Sequence, residues 1–322
     1  MIIYIIHYID IFIMNKIFDI VVFHYPCQDG LVSAWAANLY HQKNNKPVEL
    51  YPIQHGTPLN IERLRNKSVL FCDYAPTDEY IDTLEKICSN IIILDHHITS
   101  ANRIIRAYAY FDMSRSGAGI VWDYFFDNTR PEFINWVEDR DLWKWKYKDT
   151  ANFYAGIQLV LSTLKYDDFN SMFNIFDEIY NNPSKSLYYI ELGDLINRSI
   201  QQKASNIAYS HSKKSDTYLD THNNKEYNIC IVNCPTDIIS EVGSILTKDY
   251  NFDFAVLWRY NHPNSEYIIS MRANNNNAIV DVSEIARKYG GGGHKSAASF
   301  TSKTNPHILF QTISNTSNSS SD

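Results

Sequence analysis

The chain has 322 residues, 45% of them hydrophobic, with 29 Lys and Arg against 36 Asp and Glu and a formal net charge of −7. That length suits two domains, and the apolar share can fill real cores. The acidic balance excludes a dedicated duplex-DNA binder, which needs a basic face. It leaves room for a small phosphate-bearing substrate, because a bound metal brings local positive charge.

Residues 1–13 are mostly Ile, Tyr and Phe, with His7 and Asp10 among them. They are too short to span a bilayer and lack the basic start of a signal peptide. They read as an extension ahead of a start at Met14, and the rest of the chain holds no membrane candidate. The five cysteines, Cys27, Cys72, Cys88, Cys230 and Cys234, are odd in number and form no CxxC pair. They read as free thiols of a reducing, cytoplasmic compartment.

Residues 18–24 (FDIVVFH) read as a strand, followed by a turn at 24–30 punctuated by Pro26 and Gly30. A helix is expected over 31–41, so the first unit is strand, polar loop, helix, as in a doubly wound sheet. Residues 48–52 and 68–73 read as strands, the second ending in Asp73. A helix is expected over 77–88 with Thr77 as its N-cap. Residues 91–94 are four apolar residues in a row, three of them β-branched, as in a buried central strand. It empties into Asp95, His96 and His97. Three strands thus end in metal-competent side chains: His24 with Asp29, Asp73, and Asp95 with the two histidines. Open α/β sheets place their ligands at that edge, and a carboxylate set with imidazoles can hold a divalent metal and keep a group for acid–base work.

Residues 114–119 open a helix that runs through Tyr124; their Ser and Gly residues either cap it or offer backbone N–H groups to a phosphate. A helix at 132–137 runs into Glu138, Asp139, Arg140, Asp141, Leu142 and Trp143, where Asp139 and Asp141 either complete a metal shell or form an ordinary charged helix end. Residues 150–215 read as a helical connection without chemistry. Strands follow at 228–233, 254–260 and 267–272, then a helix at 282–289, the run Gly290 to Gly293 with His294 and Lys295, and a strand at 297–300. Ordering four consecutive glycines costs much backbone entropy, so a structured role is expected, and such a turn can make an anion nest.

Together these residues resemble the DHH phosphoesterase superfamily with its C-terminal DHHA1 domain. The resemblance rests on the turn with His24, Asp29 and Gly30, on Asp73, on Asp95-His96-His97, on the acidic stretch 138–143, on Arg272, and on Gly290 to His294 followed by Ala297 and Ala298. It spans about residues 18 to 302 in the family's order. It implies an α/β chain: a parallel-sheet DHH domain joined by a helical linker to a smaller α/β DHHA1 domain facing it across a cleft. The expected organisation is an extension at 1–13, the DHH domain at 14–150, the linker at 151–222, the DHHA1 domain at 223–305 and a disordered tail at 306–322.

The implied chemistry is hydrolysis of a phosphodiester or phosphoanhydride with two divalent ions, most suitably Mn²⁺. By the same resemblance His24 holds the first metal, Asp29 and His96 the second, and Asp73 bridges both. Asp139 or Asp141 completes the set. His97 contacts the scissile phosphate or protonates the leaving oxygen, and Asp95 orients a histidine. Arg272, Gly291, Gly292, Gly293 and His294 grip a phosphate or terminal nucleotide. The expected substrate is a nucleotide or short single-stranded oligonucleotide, with no membrane partner; a homodimer stays open. Cys27, a candidate ligand of the first metal, departs from the family pattern, standing where its first motif usually has a carboxylate; as a thiolate it is a softer ligand. The competing reading is a catalytically weak nucleotide-binding module of the same fold.

Overall fold

The computed structural model describes residues 16–126, 128–221, 224–274 and 280–310. The expected extension at 1–13, the start at Met14 and the tail beyond residue 310 lie outside the described residues. The chain divides into two compact units, residues 1–197 and 198–322.

The first unit is a five-stranded parallel sheet of order β2-β1-β3-β4-β5. Its strands are β1 (Ile20–His24), β2 (Glu49–Ile53), β3 (Ser68–Cys72), β4 (Asn90–Asp95) and β5 (Ala109–Phe111). Side chains alternate faces along a strand, and the two sets are packed separately. Val21, Phe23, Leu70, Cys72, Ile92 and Leu94 meet Trp35, Trp122, Phe133 and Phe176 on one face. Ile20, Val22, Val69, Phe71, Ile91 and Ile93 meet Leu64, Ile81, Leu84 and Ile104 on the other. Burial on both faces is why these strands read as unbroken apolar runs. In this order the chain reverses direction of travel between β1 and β3, and the crevice beyond their carboxyl ends is where such sheets bind ligands.

Two boundaries differ from expectation. The first helix is Gln28–Lys43 with Cys27 at its N-cap, so Gly30 lies inside its first turn and is not turn punctuation. A Cβ at Gly30 would stand 2.0 Å from the His24 carbonyl oxygen; close approach to β1 requires the glycine. Residues 151–197 are no bare linker. Helices Thr150–Ser162 and Phe169–Asn181 bury Phe153, Ile157, Met172, Phe173 and Phe176 in the first unit's core. Thr77 does occupy the N-cap of the helix Asp78–Ile87, but its side chain makes no capping bond.

The second unit is a six-stranded sheet, β10-β11-β9-β8-β7-β6. The strands are β6 (Asp216–Asp220), β7 (Lys225–Asn233), β8 (Phe254–Asn261), β9 (Glu266–Ala273), β10 (Gly292–His294) and β11 (Ala297–Ser302), antiparallel except for the β7/β8 pair. β6 lies within the span assigned to the linker; it is an edge strand with only Tyr218 and Asp220 buried. The unit also continues past residue 305. Pro306–Leu309 is a short helix, and Phe310 is fully buried against Tyr218, Phe254, Tyr289 and Phe300. A phenylalanine buried so completely holds residues 306–310, expected as the start of a disordered tail, in the second unit's core.

Candidate metal centre

Three neighbouring strands, β1, β3 and β4, deliver the side chains. His24 is the last residue of β1, and its Nδ1 lies 3.5 Å from Asp73 Oδ2. Asp73 directly follows β3 and takes a left-handed backbone conformation, φ 52°, which Asp tolerates better than most residues. β4 ends in Asp95, and His96 Nε2 comes back to 3.1 Å from Asp73 Oδ1. The same nitrogen is 3.7 Å from Asp29 Oδ2 and 3.5 Å from Asp141 Oδ2.

Among the described residues three sets of ligand atoms lie within 4.8 Å of one another: His24, Cys27 and Asp73; Asp73, Asp95, His96 and His97; and Asp29, His96 and Asp141. Asp73 and His96 each belong to two of them.

Local structure fixes each acid. Asp29 sits in the first turn of Gln28–Lys43 and is 2% exposed. Its carboxylate accepts from the Gly117 and Ala118 N–H groups, 2.7 and 2.9 Å, at the start of the helix Gly117–Phe125. Ser116 Oγ caps that helix by accepting from the Gly119 N–H, 3.2 Å. Its first free N–H groups are thus engaged by Asp29 and Ser116, not offered to a phosphate. Asp95 is fully buried; Oδ1 accepts from the His96 N–H, 2.8 Å, and faces His97 Nδ1 at 2.7 Å.

The acidic stretch at 138–141 has three separate tasks. Glu138 accepts from the Ser116 N–H at 3.1 Å and from Arg130 at 3.2 Å. Asp139, expected as a metal residue, turns away from the cluster. Its carboxylate accepts from Lys146 N, Tyr147 N and Thr150 Oγ1 at 2.7, 3.2 and 2.6 Å. With both oxygens held by that loop, Asp139 drops out and Asp141 alone reaches His96.

Charge states follow from this crowding. Burial, with Asp73 and Asp141 close by, raises the Asp29 carboxyl well above the usual range. Burial likewise raises Asp141. Burial opposes ionisation of Asp73, but hydrogen bonds from His24 and His96 outweigh it and hold Asp73 at about 2. Burial works against charge on His96 too, yet Asp73, Asp29 and Asp141 push it up to about 9. The bond to Asp95 raises His97. Burial and the neighbouring Asp73 and Asp29 push the Cys27 thiol up to about 12. Several buried acids sharing one protonated imidazole lack positive charge, which is the condition a divalent cation relieves. The donor set of carboxylates, imidazoles and one thiol therefore fits divalent metal.

One neighbour escaped the sequence reading. His55, in the turn after β2, lies with its ring centroid 4.5 Å from that of His24, tilted, and 5.3 Å from that of His97, edge to face. Burial and those two histidines lower its pKa. Its signal was its place: β2 borders β1, so the turn after it opens on the same sheet edge.

The remaining expected residues lie in the second unit. Arg272 of β9 pairs with Ala297, and Ala297 pairs with His294 of β10, so Arg272 and His294 flank one row across three strands. Directly paired residues share a face. His294 is exposed; Arg272 is half-buried, its Nη1 donating to the Met271 carbonyl at 3.0 Å. The glycine run is not an open anion nest. The N–H groups of Gly290 and Gly291 donate to the Arg287 and Ala286 carbonyls of the preceding helix, 3.1 and 3.0 Å. Gly290 at φ 77° ends that helix, and Gly292 and Gly293 are strand β10. Gly291 therefore has no N–H left for a phosphate.

A doubly wound sheet with acids and imidazoles at its carboxyl edge, followed by a smaller unit built on a mixed sheet, defines a two-unit α/β protein with a candidate polynuclear centre. Residues 224–314 match the model of the DHHA1 domain. The chain is 28% identical over 305 residues to an uncharacterized protein, R106, of Acanthamoeba polyphaga mimivirus, covering 87% of this chain and 66% of that one, just under two thirds of the relative's length. Its fold is similar to that of a pGpG-specific phosphodiesterase, PggH, from Vibrio cholerae, with TM-score 0.50 and 12% identity over 88% of this chain and 92% of the other. The exonuclease RecJ bound to manganese gives TM-score 0.46 and 13% identity over 90% and 86% of the two chains. Residues 224–314 are thus similar to a DHHA1 domain, and the chain shares the fold of the phosphodiesterase.

Proposed function

We propose that the chain is a metal-dependent phosphoesterase that hydrolyses a phosphodiester bond in a nucleotide or short single-stranded oligonucleotide. The observation that carries this reading is Asp73, whose two carboxylate oxygens face His24 on one side and His96 on the other. A shared carboxylate is what a pair of closely spaced cations requires. His24 and Cys27 would hold one cation, Asp29, His96 and Asp141 the other, with Asp73 common to both. Mn²⁺ suits this mostly hard donor set best. When bound, such cations supply Lewis acidity toward the phosphoryl group and a nucleophile at neutral pH.

The chain's own residues supply the rest. Asp95 fixes His97 through Nδ1 and raises its basicity, so the ring keeps a proton on Nε2 to give to the leaving oxygen. Asp95 is thus a positioning residue. Arg272 and His294, with Gly292 and Gly293, take the substrate's phosphate or terminal nucleotide in this reading. That a pGpG-specific phosphodiesterase shares the fold supports a dinucleotide-sized substrate. The five cysteines are free, which supports a reducing, cytoplasmic setting. No helix among the described residues is long and apolar enough to cross a membrane.

A second reading, a catalytically weak nucleotide-binding module, is favoured by Cys27 alone: a thiol pushed up to about 12 stays neutral unless a cation takes its proton. A Mn²⁺-supplemented hydrolysis screen over cyclic dinucleotides, two- to five-residue RNA and DNA, 3′,5′-bisphosphate nucleotides and pyrophosphate decides between them. Turnover of a dinucleotide or short oligomer is expected. Binding without turnover of any of these would leave the module.

A further inference from the structure

After the helix Glu132–Asp141 the chain turns, and the turn exposes two tryptophans side by side. Trp143 is 64% exposed and Trp145 41%, with ring centroids 4.8 Å apart, edge to face. Both take left-handed backbone conformations, φ 56° and 52°, which is a genuine outlier for a bulky side chain. Such strain persists only where the surroundings impose it. Here Asp139 imposes it, through the three hydrogen bonds to Lys146, Tyr147 and Thr150, while its carbonyl accepts from the Lys144 N–H at 2.9 Å. Arg140 lies under the pair. Its guanidinium carbon is 4.4 Å from the Trp143 ring centre, 5.3 Å from that of Trp145 and 4.7 Å from that of Tyr154. Among the described residues it has no carboxylate partner in ion-pair range.

Core packing does not explain this arrangement, because the indoles face solvent. Helix termination does not explain it either, since a glycine would end the helix without strain. What the turn does is hold two flat π surfaces and a planar cation beside Asp141, whose carboxylate is 3.5 Å from His96. Trp143 follows Asp141 by two residues, at most about 7.6 Å from Cα to Cα. That is the scale of the sugar between a phosphate and its base.

We propose that Trp143, Trp145 and Arg140 form a stacking subsite for one nucleobase of a ligand whose phosphate lies at the Asp29, Asp73, His96 and Asp141 cluster. The phosphate's position rests on the phosphoesterase reading; the base's does not. Stacking on indole and guanidinium planes recognises any base by its π face, so the subsite reads nucleotide against non-nucleotide and not one base against another.

The test compares AMP with ribose 5-phosphate, which has the same phosphate and sugar but no base, by calorimetric titration of the full chain with Mn²⁺ present. AMP is expected to bind roughly tenfold to a hundredfold more tightly, the range of a single base–aromatic stack. Trp143→Ala and Trp145→Ala should each shrink that ratio toward one without changing ribose 5-phosphate binding, and Trp143→Phe should keep most of it. Thermal melts of the variants check the fold; both side chains are exposed, so the melts should not move. Equal affinities in the wild type, absence of binding by both included, overturn the subsite. So does a ratio that survives both alanine variants, as it would if the indoles served only to contact another protein. Hydrolysis of bis(4-nitrophenyl) phosphate is followed in parallel. Turnover without a base preference sinks the subsite alone, and a base preference without turnover sinks the phosphoesterase reading alone.

Discussion

Cys27 lies within 4.8 Å of ligand atoms of both His24 and Asp73, and at that distance it is either a cation ligand or a packed thiol. A carboxylate is the harder donor, so Cys27→Asp is expected to shift preference from Zn²⁺ or Co²⁺ toward Mn²⁺. Cys27→Ala should lower occupancy of one metal only, because Asp29, His96 and Asp141 form their own set. Elemental analysis by mass spectrometry of wild type and both variants reads this directly. Two metals per chain in Cys27→Ala, with undiminished turnover, would make the thiol a spectator. Most of the other cluster residues were legible because each follows an apolar strand: His24, Asp73, Asp95, His96. The choice between Asp139 and Asp141 was not legible. Their spacing puts them on different sides of the last helical turn, and only the contacts with Lys146, Tyr147 and Thr150 show which one is already engaged.

At the scale of elements, the turn after the helix Glu132–Asp141 depends on that buried carboxylate. Asp139→Asn keeps the shape but loses the charge and turns one oxygen into a donor facing donors. A loss of about 1–3 kcal/mol is expected, the usual cost of leaving buried partners unsatisfied. It should be read as a drop in the urea midpoint with an unchanged slope. An unchanged midpoint would show that the loop holds itself. The strands buried on both faces could be read from the sequence, since β1, β3 and β4 are continuous apolar runs. The strands at sheet margins could not. β5 is three half-buried residues, and β6, Asp-Thr-Tyr-Leu-Asp at an edge, has no polar–apolar alternation to mark it. The helices at 150–181 were mistaken for a connection because their buried aromatics, Phe153, Phe173 and Phe176, have partners far back in the chain, Trp35 and Phe133 among them. Periodicity marks a helix but does not say which core it joins.

For the molecule as a whole, the cluster couples protonation to stability, and under the proposed function to metal as well. His96 is pushed up to about 9, so its contribution is complete below about pH 6.5, the free imidazole value, and is lost as pH rises through about 9. His97, raised by Asp95, has the same sign. Asp29 and Asp141 are raised as well, so their contribution is complete below about pH 4 and falls as pH rises through their folded values. Asp73, held at about 2, has the opposite sign, but its window lies below about pH 4. Metal-free protein should therefore lose stability steadily between pH 6.5 and 9. A bound cation displaces those protons, so Mn²⁺ should raise Tm more at pH 8 than at pH 6. It should also release protons, seen as a dependence of the calorimetric enthalpy on the buffer's ionisation enthalpy. A Tm gain independent of pH would contradict this coupling. The most direct measurement of the central claim takes chelator-treated protein and its Asp73→Asn variant, reconstitutes both with Mn²⁺, and follows metal content and turnover of a dinucleotide together. The account predicts two Mn²⁺ per chain with turnover in the wild type, no turnover in EDTA, and in the variant at least one Mn²⁺ lost and turnover down by about a thousandfold or more. Turnover that persists in EDTA, or an Asp73→Asn variant as active as the wild type, would contradict it.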